Sequence, residues 1–507
     1  MITYTHTFRV NGMKGVPVTV ETEVKQGMGI HLVGLADQSV KESLLRVATA
    51  IQAFGYTLPG KSITINLAPA DLRKTGAGYD LPIALGIISA TQQEPLQDLD
   101  KYVIAGELGL DGSVRDIPGW MQAAELAKET GRGCILPVES AKLAARALGE
   151  SVRIFGVDNI PEVIDILNEG NPEWTAYDDY VNDEDMHGFD DVKRDYWDSM
   201  KGHATEKRAL EIAAAGGHPL LLVGPPGSGK SYLARALCEI LPPMTEEESR
   251  EVQEVYSAAD KRLVPGIRPF RSPASWTQLK GLLGGGVGEV PLPGEVALAH
   301  NGVLYIDDFA DVANGVKEAM RGPMEDGRVV ITRLMNKVVY PTRFFPVFAT
   351  KPCPCGKYGT GNCTCTVGQR MAHNAKLGGP IYDRLSMHVF VRPLSPNDVD
   401  GGVSSEEVQK RVIAAREIQM KRQGMLNDEL TAHEFISLLN RSNRGDSYCE
   451  VLKFATDLVD RMDMSTRAYF RLFRIARTIA DLEGSEEIKM AHVAEAASYR
   501  FLDKRIS

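Results

Sequence analysis

Eight consecutive residues, Gly224-Pro225-Pro226-Gly227-Ser228-Gly229-Lys230-Ser231, constrain this chain more than any other stretch. They match G-x-x-x-x-G-K-[ST]. An apolar run, Pro219-Leu220-Leu221-Leu222-Val223, precedes them, and Tyr232-Leu233-Ala234-Arg235-Ala236-Leu237, with helical spacing, follows. Strand, glycine loop and helix in that order are the context in which this motif cradles a phosphate chain. The glycines let successive backbone N–H groups curl around the phosphates, and the helix N-terminus adds partial positive charge. In such a loop Lys230 reaches the β- and γ-phosphates and the Ser231 hydroxyl ligates Mg²⁺. Nucleotide binding on a parallel sheet is the first expectation.

A second apolar strand, Gly302-Val303-Leu304-Tyr305-Ile306, ends in Asp307-Asp308. Downstream of a phosphate loop this is the Walker B arrangement, with Asp307 holding the Mg²⁺ shell and Asp308 placed to activate water. The plainer reading of paired aspartates at a strand end is a cap on the next helix. A third buried strand, Phe345-Pro346-Val347-Phe348-Ala349-Thr350, leads into Lys351 and then into four cysteines, Cys353, Cys355, Cys363 and Cys365.

At 507 residues the chain suits two to four domains. Residues 1–168 mix patterns. Residues 63–67 alternate as a half-buried strand, 81–88 read as a buried helix with Pro82 in its first turn, and 121–130 form an amphipathic helix ending at Gly131. This is an α+β domain. Residues 169–200 turn abruptly acidic, which reads as a solvated linker or as an arm that fills a basic groove. Residues 201–395 hold the phosphate loop and the cysteine-rich insertion, and 396–507 are wholly helical, with helices expected at 406–422, 428–440, 465–482 and 486–501. The fold class is α/β with a helical lid. No apolar stretch reaches the length of a membrane span and no signal peptide opens the sequence, so a cytoplasmic location is expected. The net charge of −10 argues against wholesale coating of nucleic acid but is compatible with a basic channel inside an assembly.

Several longer blocks resemble the ComM/YifB-type magnesium-chelatase-like ATPases of the AAA+ superfamily. They include Asn66-Leu67-Ala68-Pro69-Ala70-Asp71-Leu72-Arg73-Lys74, Lys207-Arg208-Ala209-Leu210-Glu211-Ile212-Ala213-Ala214-Ala215-Gly216-Gly217-His218, Pro352-Cys353-Pro354-Cys355-Gly356 and Ala476-Arg477-Thr478-Ile479-Ala480-Asp481-Leu482. The resemblance covers nearly the whole chain. It implies an N-terminal domain with the fold of the Lon-protease C-terminal domain (the S5 fold), and a ring, a hexamer, with ATP at each subunit interface. It also implies an arginine finger at Arg384, in Gly379-Pro380-Ile381-Tyr382-Asp383-Arg384, and a sensor arginine at Arg467, in Met464-Ser465-Thr466-Arg467-Ala468. Without it, both arginines read as surface ion-pair formers.

Three departures from the family pattern stand out. Asp308 stands where glutamate is usual, which draws the carboxylate back by a methylene. Lys351 replaces the first-sensor asparagine, and Ala274-Ser275 replaces a pair of histidines. A retracted carboxylate and a sensor without an amide predict slow or regulated hydrolysis. The Lon-type Ser-Lys dyad falls at Gly78 and Met121, neither of which supplies a nucleophile or its base, so no peptidase activity is expected.

The four cysteines, in a C-x-C…C-x-C pattern, offer structural zinc a tetrahedral set; metal-free thiols and a disulfide are the other readings. Residues 281–288 and 327–343 are candidate substrate loops. The second alternates as a hairpin, and the resemblance sets it at a central pore with Arg333 and Lys337 near a DNA backbone; an exposed hairpin with solvated charges is the plain alternative. The expected activity is ATP-driven DNA remodelling, such as branch migration in recombination or natural transformation. Its rivals are a chelatase-type motor acting on a partner protein and a nucleotide-gated scaffold with weak turnover.

Overall fold

The computed structural model describes residues 2–169, 195–286, 290–333, 337–377, 381–394, 402–442, 446–462 and 464–503. Most of the acidic linker (170–194), the end of the first candidate substrate loop, Gly379 and Pro380 before the expected arginine finger, and the 395/396 boundary of the lid lie outside the described residues. No described helix is long and apolar enough to cross a membrane.

The first sheet has seven strands: β1 (Ile2–Asn11), β2 (Lys14–Lys25), β3 (Gly29–Val33), β4 (Ser62–Ala68), β5 (Tyr102–Ile104), β6 (Gly133–Pro137) and β7 (Ile154–Val157). Their order is β3-β4-β2-β1-β5-β6-β7, antiparallel in the β1, β2 and β4 ribbon and parallel elsewhere. The strand expected at 63–67 lies within β4. The helix expected at 81–88 is α1 (Asp80–Ala90), apolar all round, and it is buried along almost its whole length.

The second sheet has five strands, all parallel: β8 (Leu220–Val223), β9 (Phe270–Arg271), β10 (Val303–Ile306), β13 (Phe345–Thr350) and β14 (Met387–Phe390), with a separate hairpin of β11 (Arg328–Thr332) and β12 (Lys337–Pro341) inserted before β13. The order is β9-β10-β13-β8-β14. Strand alternation divides the core. Leu220, Leu222, Val303, Tyr305, Val347 and Ala349 face one cluster, while Leu221, Val223, Leu304, Ile306 and Phe348 face the other. Burial on both faces is what a parallel sheet requires.

The lid completes the first of these clusters with α6 (Ser405–Gln423), α7 (Ala432–Ser442), α8 (Asp446–Met462), α9 (Thr466–Leu482) and α10 (Met490–Ser498). Two boundaries differ from expectation. Asp428 is turned onto His218 and Ser386, so α7 begins later, where Thr431 and Glu434 cap each other's backbone N–H. At the last helix the Glu486 carbonyl accepts from Arg477, and α10 starts only at Met490. The helix α8 lies in the stretch expected to be helical but was not among the four helices expected there.

The two sheets meet across a helix pair, α2 (Trp120–Glu129) and α5 (Glu246–Ala258). The N-terminus of α2 has no side-chain cap of its own. Instead, Ser257 at the end of α5 accepts from Gly119 N through its carbonyl (2.9 Å) and from Met121 N through Oγ (2.9 Å), and Gln122 donates to the Glu254 carbonyl (2.8 Å). Met121, the position a Lon-type lysine would take, is thus fully buried in an interdomain contact. A second contact lies at the β1–β2 turn. Gly12 there has φ +65°, and a Cβ on it would stand 2.5 Å from Val338 of the inserted hairpin. Only glycine meets both demands.

The helix pair carries an expected pH response. Burial, with Glu125 and Glu129 on the facing helix and Glu251 on its own, pushes Glu254 up to about 7 from the ordinary 4.5, opposed by Arg250. A carboxyl raised in the folded state holds its proton better folded than unfolded. Its contribution is therefore complete below pH 4.5 and is lost as pH rises from there through 7. Glu254→Gln is expected to raise stability at pH 8 by about 1–2 kcal/mol and to leave it nearly unchanged at about pH 4, read from thermal melts at the two pH values.

Candidate nucleotide site

Strand β8 lies between β13 and β14, where the strand order reverses, and ligands of open parallel sheets bind outside the carboxyl ends of the strands at such a point. The phosphate loop leaves β8 there and enters α4 (Lys230–Ile240). Gly227 and Gly229 have φ of +77° and +88°, so the loop needs its glycines for conformation. Gly224 is needed for space, because a Cβ would stand 2.5 Å from the Val391 carbonyl. Lys230 folds back and donates to the carbonyls of Gly224 and Pro225, each at 2.9 Å. The Ser228 hydroxyl is buried with no hydrogen-bond partner among the described residues. A buried cation satisfied by its own loop and an orphan hydroxyl beside it suit an anion that would engage both.

Three further predicted residues converge on this loop. Asp307 and Asp308 follow β10 and Lys351 follows β13. Burial draws the Lys230 ammonium below the usual lysine value, Asp307 and Asp308 oppose that, and Lys351 adds to it. Asp308 adopts left-handed backbone (φ +47°), donates its N–H to the Asp307 carboxylate (2.8 Å), and pairs with the Lys351 ammonium at 3.1 Å. An aspartate held at positive φ is uncommon and marks a position the surrounding structure imposes. Lys351 therefore neutralises the carboxylate expected to face water. Ser231 and Asp307 supply hard oxygen donors beside Lys230, a set that suits Mg²⁺ with waters completing the shell.

Tyr305 was not expected here. Its hydroxyl lies 3.0 Å from Ser231 Oγ. The signal was a single polar tip inside an otherwise aliphatic strand.

The two predicted arginines lie near each other. Burial, Arg321 and Arg467 draw Arg384 below the usual guanidinium value, and Glu318 opposes them. Arg384 also pairs with Glu325 and lines a cavity of about 900 Å³ with Arg343, Arg471 and Arg474. Arg467 is exposed in the first turn of α9.

The four cysteines are free and mutually close. All four ligand atoms lie within 4.8 Å of one another, with Sγ separations of 3.4 Å for Cys353–Cys355 and 3.7 Å from Cys363 to each of them. Tetrahedral thiolates at about 2.3 Å from zinc stand roughly 3.8 Å apart, so the set fits that ion. Backbone N–H groups of Lys357 and Thr364 draw the Cys355 thiol down, whereas burial pushes Cys353 up and Cys365 is also raised, so in the absence of a cation the four share their protons unequally. The knuckle abuts the phosphate loop: a Cβ on Gly356 would stand 2.9 Å from Pro226 Cδ, and Lys351 leads straight into Cys353.

Arg333, at the hairpin tip, donates to the Gly286 carbonyl and lies beside Lys280, and Lys337 is exposed. Trp276, on the loop that leads to Lys280, is 84% exposed.

Comparison with known proteins agrees with this arrangement. Residues 196–399 match the family described as magnesium chelatase, subunit ChlI, residues 20–140 match subunit ChlI of Mg-chelatase, and residues 402–500 match the subunit ChlI C-terminal family. A YifB protein of Salmonella typhimurium is 37% identical over 98% of this chain and 97% of its own length. The chain belongs to the YifB/ComM family of magnesium-chelatase-like AAA+ proteins. A competence protein ComM of Haemophilus influenzae is 36% identical over 96% of this chain and 95% of its own. A more distant likeness, 25% over 44% of this chain and 25% of the relative, is to the DNA helicase MCM8 of Xenopus laevis.

Proposed function

We propose that this chain is an ATP hydrolase that couples ATP binding and turnover to remodelling of DNA, as a hexameric ring in the cytoplasm. In this reading residues 1–168 form a collar, 201–395 the motor and 396–507 the lid. The observation that carries it is the convergence of Lys230, Ser231, Asp307, Asp308 and Lys351 at the carboxyl ends of neighbouring parallel strands. The ComM and MCM8 likenesses support DNA as the substrate.

Lys230 exchanges its two loop carbonyls for phosphate oxygens, and the loop N–H groups and Ser228 orient the chain of phosphates. Mg²⁺, held by Ser231 and Asp307, would neutralise charge on the β- and γ-phosphates. Asp308 orients the attacking water once Lys351 turns toward the γ-phosphate. Arg384 and Arg467, near each other, act on the neighbouring subunit's nucleotide, where guanidinium groups stabilise charge spread over the transferring phosphoryl group. The cysteine knuckle holds zinc and buttresses the loop through Gly356 and Pro226.

A second reading, a nucleotide-gated scaffold with little turnover, is favoured by the Asp308–Lys351 pair, which occupies the water-facing carboxylate.

DNA is contacted by Arg333 and Lys337, and the exposed Trp276 offers a ring for unpaired bases. Replacing Arg333 and Lys337 together by alanine is expected to weaken DNA binding and to reduce the slope of log affinity against log salt by about 2 per chain engaged. Trp276→Ala is expected to weaken single-stranded binding alone, by about 5–100-fold. Fluorescence-anisotropy titrations over a salt series read both, and wild-type affinities and slopes in both variants would remove this surface from the account.

A further inference from the structure

We propose that Tyr305 is a positioning residue for the magnesium site, its hydroxyl holding Ser231 in the place from which it ligates the ion. This rests on the reading of the loop as a magnesium-nucleotide site. The alternation of β10 turns Tyr305 toward the core it shares with α4, where it is 2% exposed. Its ring stacks on Phe270 (centroids 6.0 Å apart, planes at 22°), and the Arg235 guanidinium covers the same Phe270 at 4.5 Å. A ring clamped in this way has little freedom, so its hydroxyl marks a fixed point. That hydroxyl lies 3.0 Å from Ser231 Oγ, within hydrogen-bond distance.

The Ser231 hydroxyl has one proton and two lone pairs. With a cation on its oxygen, Ser231 donates that proton to the phenol oxygen 3.0 Å away and keeps its lone pairs for the ion. A phenol on a clamped ring thus fixes both the side-chain rotamer and the proton of this ligand. Groups that hold ligands in this manner are typically worth 10–100-fold in metal affinity. A phenylalanine would fill the same volume and lose only this function.

The test compares ATP binding by calorimetry in MgCl₂ and in EDTA, for wild type, Tyr305→Phe, Ser231→Ala and the double variant. The gain in ATP affinity that Mg²⁺ confers is expected to fall at least tenfold in Tyr305→Phe, with binding in EDTA within about twofold of wild type. The double variant should be no worse than Ser231→Ala, because the phenol acts through that hydroxyl. An unchanged or larger magnesium gain in Tyr305→Phe overturns the proposal. Wild type that binds ATP equally with and without Mg²⁺ removes the magnesium-nucleotide reading itself. Matching melting temperatures certify that the variants are folded.

Discussion

Arg384→Ala is expected to lower ATP turnover by about 10³-fold or more, while ATP affinity stays within a few-fold of wild type. Arg384 sits on a short turn before β14, between Arg321 and Arg467, with Glu325 as its ion-pair partner. Repulsion from two guanidinium groups makes an incoming anion favourable there, and the γ-phosphate of an adjoining subunit would be that anion. The effect belongs to turnover rather than binding, because the charge it meets develops in the transition state. The same placement predicts complementation. Arg384→Ala chains supply an intact phosphate loop, Lys230→Ala chains supply an intact arginine, and mixed assemblies should regain part of the activity that each lacks. Activity that stays absent in the mixture would place Arg384 in its own subunit's site.

Asp481→Ala is expected to destabilise the protein by about 3–5 kcal/mol, more than any surface change. Asp481 is fully buried, takes Arg422 at 2.6 Å and Arg477 at 3.0 Å, and also accepts from Asn427. Removing it leaves the buried Arg477 with only the carbonyls of Ser485 and Glu486. Asp481→Asn, which keeps an acceptor, should lose less. Chemical denaturation of the two variants beside wild type measures the difference.

How much of this was readable before the structure depends on distance along the chain. The phosphate loop is contiguous, so its glycines, Lys230 and Ser231 announce themselves, and the β11–β12 hairpin follows from simple alternation. The helix α8 was readable too: Val451, Ala455 and Met462 form its buried stripe at spacings of four and seven. That pattern went unread beside the polar stretch before it. Pairings between remote segments were not readable. The block ending at His218 and the block around Thr478 are each a family signature, yet only the fold shows that His218 Nε2 meets Thr478 Oγ1 at 2.7 Å. Lys351 and Asp308 each read as a loss of function in isolation, whereas the structure makes them partners at 3.1 Å. Arg467 carried a sensor's motif, but its grouping with Arg384 depends on how the lid is set against the sheet. The cysteine spacing left zinc, thiols and disulfide open, and the closeness of all four sulfurs favours the first.

The most direct test of the central claim is steady-state ATP hydrolysis with no DNA, single-stranded DNA or branched DNA, with Lys230→Ala as the blank. The account predicts turnover that DNA stimulates and that the blank abolishes. Tight ATP binding with turnover no higher than the blank, whatever DNA is added, would contradict a DNA-remodelling motor and leave a nucleotide-gated scaffold in its place.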